Sequence, residues 1–236
     1  YNYIIIIYRG DCLPNSTPYW GILGETGIWP LKSVVIYHRL MYMHNIMNSE
    51  DSRLAKRIVM GQQEIEGENW TKETERIGKE YNIDMDKVTE KKKSKWKREI
   101  KDKIEKEIEG MWIQKAKSMK KMRHVKEGKF GKRKYMMEST TEEAAEYMRL
   151  RLEMKDLGNN HGKERKCICG EEEIIEHVIE CKIVKKKIKG TVCMKNIRSE
   201  EKAMLEEMRK WINRYIEMRE QEERKEKGKG GEYREQ

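Results

Sequence analysis

KWKREIKDKIEKEIEGMW, residues 95–112, decides the fold class. Trp96, Ile100, Ile104, Ile108 and Trp112 recur every four positions, and the residues between them are nearly all charged. On a helix of 3.6 residues per turn each such step advances the side chain by only ~40°, so the five residues form one slowly drifting apolar stripe. A strand would need a period of two. The pattern predicts a long amphipathic helix, with Gly110 read as the place for a bend or break.

The flanking sequence extends this reading. The chain is 40% charged and 36% hydrophobic, has a mean hydropathy of −1.00, and holds one Phe and three Pro among abundant Lys, Glu and Met. Straight-chain residues lose little rotamer freedom in helices, so the expected class is mostly α, an amphipathic bundle with thin shared cores and long basic helices. Ser33 is read as the cap of a helix over Val34–Met47. A second helix is expected over about 51–63, a third from Thr71 to near Tyr81, and a fourth opening at Asp84 or Asp86. The 139–143 stretch (Ser-Thr-Thr-Glu-Glu) resembles a capping box opening a helix through Leu157, and Ser199-Glu200-Glu201 opens another with Leu205, Met208, Ile212, Tyr215 and Ile216 on one face. The expected organisation is a short strand and irregular segment over 1–24, a helical region over 25–122, a basic connector over 123–138, a helix plus cysteine module over 139–190, a C-terminal amphipathic helix over 191–221 and a disordered tail over 222–236.

Charge is distributed unevenly. Residues 91–134 hold 19 Lys/Arg against 6 Asp/Glu, a local excess of +13 in a chain whose total is +10. A local patch of this kind suits phosphate, because neutralising each phosphate releases counterions. The candidate nucleic-acid-binding residues are Lys91, Lys92, Lys93, Lys95, Lys97, Arg98, Lys120, Lys121, Arg123, Lys132, Arg133 and Lys134. A solvated helical face would carry the same charges without a partner. Trp96, Trp112 and Tyr135 fit either base stacking or a helix core.

The sharpest chemical signal is Cys167-Ile168-Cys169, then His177 and Cys181, a C-x-C-x7-H-x3-C spacing. With residues 173–189 read as helical, His177 and Cys181 stand one turn apart on one face, and the two cysteines before Gly170 would face them from a turn. Three thiolates and one imidazole make a closed tetrahedral set for a structural Zn2+, which would staple a segment poor in core residues. Reduced cysteines at chance spacing are the competing reading. Cys12 and Cys193 are read as ordinary thiols, His38, His44 and His124 are assigned no role, and His161 is read as a loop residue beside Gly158 and Gly162, with substitution for one of the four ligands as its alternative.

No P-loop, dinucleotide fingerprint, nucleophile elbow or HExxH occurs, and no apolar run approaches the ~20 residues that span a bilayer. With no signal-peptide pattern either, an intracellular protein without membrane attachment is expected.

Two groups of segments carry a family resemblance. Gly24-Glu25-Thr26-Gly27-Ile28-Trp29-Pro30, then Arg39-Leu40-Met41-Tyr42-Met43-His44, then Gln62-Gln63 and Asn69-Trp70, resemble the entry to the helical thumb-like region of non-LTR retrotransposon reverse transcriptases. Arg149-Leu150-Arg151-Leu152, the C-x-C, and Glu176-His177-Val178-Ile179-Glu180-Cys181 are similar to the cysteine/histidine motif that ends many of these polyproteins. The resemblance covers roughly residues 21–190 and implies a fragment that grips RNA or DNA. The family's paired palm aspartates are absent, since no Asp-Asp occurs in the chain, and no endonuclease-like segment is present. Without the two-metal carboxylates no primer hydroxyl is activated, so the chain is not expected to polymerise alone. The alternatives are a protein-interaction module, using the apolar face of the 199–220 helix for a helix-mediated partner, and a nonfunctional remnant of a mobile element.

Overall fold

The computed structural model describes residues 17–125, 128–155, 157 and 165–231. The expected strand at Tyr3–Tyr8, Cys12, the helix stop at Gly158-Asn159 and His161 lie outside them. Among the described residues the secondary structure is helical, with only two isolated β-bridges. In chain order the helices are α1 (Tyr19–Thr26), α2 (Leu31–Met47), α3 (Leu54–Glu64), α4 (Trp70–Glu80), α5 (Lys93–Ser118), α6 (Tyr135–Glu138), α7 (Thr141–Arg151), α8 (Ile175–Glu180), α9 (Lys182–Lys187), α10 (Met194–Arg198) and α11 (Lys202–Gly231). Short 3-10 turns occur at Met85–Lys87 and Lys120–Met122. None of these helices is long and apolar enough to cross a membrane.

The described residues form two compact units, Ile28–Gln114 and the described residues on either side of it. The division falls at 27/28 and 114/115, whereas the expected helical region ran over 25–122. The reason lies in Glu25 and Thr26, which belong with residues more than a hundred positions later. Glu25 is fully buried. Its carboxylate accepts hydrogen bonds from Arg151 Nε (2.7 Å), Tyr135 OH (2.7 Å) and Arg133 Nε (3.2 Å), while its backbone carbonyl accepts from Arg133 N (3.1 Å). The described residues of 123–138, the expected basic connector, are accordingly packed into this unit.

In the same unit Gly27 ends α1 in the left-handed region, φ 67°, donating its N–H to the carbonyl of Leu23. A Cβ there would sit 2.4 Å from the backbone nitrogen of Lys132, so only glycine fits. Thr140 and Glu143 complete the capping box that opens α7. α11 packs on α7 and α10, and its Leu205, Met208, Trp211, Ile212 and Tyr215 are buried, most of them with Val178, Ile179 and Ile197. The face expected to recruit a helical partner is therefore taken up by the protein's own core. α11 also runs past Glu222, where a disordered tail was expected, and Glu222 and Glu223 are tied there by ion pairs to Lys187 and Arg219.

In the unit Ile28–Gln114, α2 packs on α3 and α4, which pack on each other. α2 starts at Leu31 behind Pro30, a residue with no N–H to leave unsatisfied, and Ser33, the expected cap, is buried in its first turn. Asn69 replaces Thr71 as the cap of α4: its side chain accepts from Lys72 N at 3.0 Å and donates to the Gln62 carbonyl at 2.7 Å. Thr71 instead donates to the Gln62 side chain. Arg39 reaches Thr74 (2.8 Å), the Trp70 carbonyl (3.0 Å) and Glu73 (2.7 Å), and lies over the Trp70 ring. His44 stacks on Trp96 and binds the Lys91 carbonyl through Nε2 at 2.9 Å. The five residues of the α5 stripe are all fully buried, which takes Trp96 and Trp112 out of base stacking; Tyr135 is lost to it as well, buried against Glu25.

Gly110 does not break α5; it is exposed, and a Cβ added there meets nothing within 4 Å. Gly110→Ala should therefore raise unfolding stability by about 0.5–1 kcal/mol, whereas Gly27→Ala should lower it by more than that. Denaturant titrations of the two variants check the opposite signs.

Burial alone would raise the Glu25 carboxyl, but the adjacent Arg151 and Arg133 outweigh it and hold the group below its ordinary value of 4.5. A carboxyl depressed by folding contributes stability that is present above the unfolded value and lost as pH falls through the folded one. Glu25→Gln is expected to cost roughly 3–5 kcal/mol at neutral pH by stranding two buried guanidinium groups, and the gap to wild type should narrow below about pH 4.5. A pH-independent gap in urea melts would contradict this.

Candidate metal centre

Cys167 and Cys169 sit on a tight turn. The Cys167 N–H donates to the Glu171 carbonyl at 2.8 Å, the Gly170 N–H donates to the Cys167 carbonyl at 2.7 Å, and an antiparallel bridge pairs Lys166 with Glu172. Gly170 closes the turn at φ 94°, a conformation side chains disfavour. α8 then presents His177. Residues 173–189 are not one helix as expected: α8 stops at Cys181, which is extended (φ −62°, ψ 119°) and serves as the N-cap of α9. The thiol is thus presented from a junction between two helices.

The four ligand atoms, one each from Cys167, Cys169, His177 and Cys181, lie within 4.8 Å of one another and could hold a metal ion. Cys169 Sγ and His177 Nε2 are 3.0 Å apart. Cys167 and Cys181 are buried, and the other two are half-buried. Burial pushes the Cys167 thiol up to about 12, the response of a thiol in apolar surroundings. Burial also acts to raise Cys181, but the N–H groups of Val184 and Ile183 at the start of α9 outweigh it and favour the thiolate.

Behind the turn, Glu173 is fully buried and accepts from Tyr215 OH at 2.7 Å and from Arg219 Nη1 at 2.9 and 3.0 Å. Both donors come from α11, so the cysteine turn is fastened to the C-terminal helix. A second group, His124, Glu153 and Glu176, escaped the sequence reading, which gave His124 no role. Arg123 spans both carboxylates, binding Glu153 through Nε and through Nη2 (2.6 Å) and Glu176 through Nη1 (3.1 Å), and His124 Nε2 lies 2.8 Å from Glu153. The guanidinium already supplies the positive charge there, so we read this group as an ion-pair network. Glu176 next to His177 was the only sequence hint of it.

The twelve cations predicted to bind nucleic acid divide. Arg133 is buried between Glu25 and Glu200, Arg123 is held by Glu153 and Glu176, Lys134 pairs with Glu201, and Lys91 pairs with Glu99 at 2.7 Å beneath the Trp96 ring. Arg133, Arg123 and Lys91 are held within the fold, whereas the Lys134–Glu201 pair lies on the surface. Lys92, Lys93, Lys95, Lys97 and Arg98 are exposed at the start of α5, Lys120 and Lys132 are exposed, and Lys121 is half-buried.

Elemental analysis of the purified chain is expected to find one metal equivalent, lost in a Cys167→Ser/Cys181→Ser double variant. Chelation should also lower the melting temperature, because metal binding to such a site is part of its folding free energy. Comparisons with protein-family models, with curated proteins and with solved structures found no match to this chain.

Proposed function

We propose that this chain is a zinc-stapled, nucleic-acid-binding fragment of a non-LTR retrotransposon reverse transcriptase, gripping template, primer or target through phosphates and supplying no polymerase carboxylates. Zinc is the reading of the donor set: three sulfurs and one imidazole nitrogen match its preference, and four protein ligands leave no open position for catalysis. The same closed set argues against a metalloenzyme.

The observation that carries the nucleic-acid reading is the exposed run Lys92, Lys93, Lys95, Lys97 and Arg98. The first turn of α5 contains no acidic residue, and cations at a helix N-terminus oppose its dipole. Folding gains nothing from placing them there, whereas a polyanion would compensate both the charges and the dipole. The resemblance adds support, because Arg39, His44, Gln62, Asn69 and Trp70 of the quoted segments form the tie points of their unit. A protein-interaction role for the 199–220 face is disfavoured by its burial.

Replacing Lys92, Lys93, Lys95, Lys97 and Arg98 with Gln should weaken binding to all nucleic-acid sequences alike. It should also reduce the slope of log affinity against log salt by about one for each phosphate that is no longer neutralised. Lys91, held by Glu99, stays intact so that folding is spared. Fluorescence anisotropy across a salt series decides: unchanged affinity and slope in this variant would falsify the reading.

A further inference from the structure

A cavity of about 170 Å³ lies in the unit that holds the cysteine cluster, between the Lys120–Met122 turn, the end of α7 and the segment joining Cys169 to His177. Its floor is apolar, made by Leu150, Leu157, Ile174 and Ile175. The charged groups in its wall are mostly engaged elsewhere: Glu153 by Arg123 and His124, Glu173 by Arg219 and Tyr215, and Lys155 by Glu146, while the third carboxylate of the wall, Glu172, faces the charge of Arg123. Lys120 and Lys121 at the lip are different. Neither has an ion-pair partner among the described residues, and nothing in the fold accounts for two adjacent lysines beside an apolar hollow.

We infer that this cavity receives one unstacked nucleobase of a single strand, with the flanking phosphates on Lys120 and Lys121. The inference rests on the nucleic-acid reading above and adds a site distinct from the α5 cations. Its size fits. At ~30 Å³ per water the cavity displaces roughly six waters, the room for one base and not for a stacked pair. Its chemistry fits as well, with an apolar surface for a ring face beside point charges for phosphate oxygens. Because Glu153 and Glu173 are already saturated, the base is held by shape, and single strands are preferred over duplex with little base selectivity. One wall is the segment between the metal ligands, so the pocket's shape depends on the metal centre.

The probes are two fluorescent strands of equal length, one of thymidine and one fully abasic, titrated against the full chain. Wild type should bind the thymidine strand at least about fivefold more tightly, the lower end of what one held base contributes. Lys120→Gln/Lys121→Gln should weaken both strands and reduce the salt slope by about 1.4, or ~0.7 per phosphate on a single strand. Ile174→Trp, which fills the hollow from its half-buried floor, should erase the preference for thymidine while leaving the slope unchanged. Equal wild-type affinity for the two strands with a steep slope would overturn the base pocket and leave the phosphate-binding function standing. No binding of either strand would overturn both. If Ile174→Trp fails to fold, the abasic comparison and the lysine variant still decide.

Discussion

The buried carboxylate of Glu25 is the constraint on which its unit depends. Removing an ionised carboxylate from water is costly unless charge and hydrogen bonds replace the lost hydration, and here two guanidinium groups and a phenol supply them. The donors lie 108, 110 and 126 residues away in sequence, so satisfying one side chain brings distant segments to α1. Arg151 carries the network on: its Nη1 donates to the carbonyls of Ile197 (3.1 Å) and Ser199 (2.5 Å), fixing the approach to α11. The close passage of Lys132 over Gly27 follows from the same geometry.

Such a device suits a chain that is 40% charged. Apolar burial supplies most folding free energy but little direction, and a thin core leaves register poorly specified. Directional ion pairs can specify it, a role that buried polar groups serve in some proteins and that we extend to this one. Glu173 repeats the arrangement with Arg219 and Tyr215, and Glu153 does so with Arg123 and His124. Both of these carboxylates neighbour the cysteine cluster in sequence or in space, so the cluster and the ion pairs fall on the same short segments.

Local features were legible in the sequence because their physics is local. The α5 stripe, the capping box at Thr140 and the four-ligand spacing each depend on residues within a few turns of one another, and each appears where it was expected. The misreadings share a different cause. Ser33 and Thr71 are acceptable caps, but neighbouring residues outcompeted them: Pro30 by its fixed φ and Asn69 by its bond to Gln62. The α8–α9 break at Cys181 was hidden because both halves have helical composition. Glu25 carried no sign of burial, since the arginines that neutralise it lie more than a hundred residues further along the chain.

Distant carboxylates of this kind also change what a basic sequence means. Counting Lys and Arg over residues 91–134 treats every cation as available, yet Lys91, Arg123, Arg133 and Lys134 each meet a carboxylate, and every one of those carboxylates except Glu99, the partner of Lys91, lies outside the counted stretch. Both arginines among the four sit in multidentate arrangements, which the planar guanidinium favours, while the exposed set is nearly all lysine. Arg123 and Arg133 are thus held in fixed forks, whereas the exposed cations are lysines apart from Arg98. Lysine amines are strongly hydrated and suit phosphate contacts that need no fixed orientation, which is why a surface of this composition favours backbone binding over base reading.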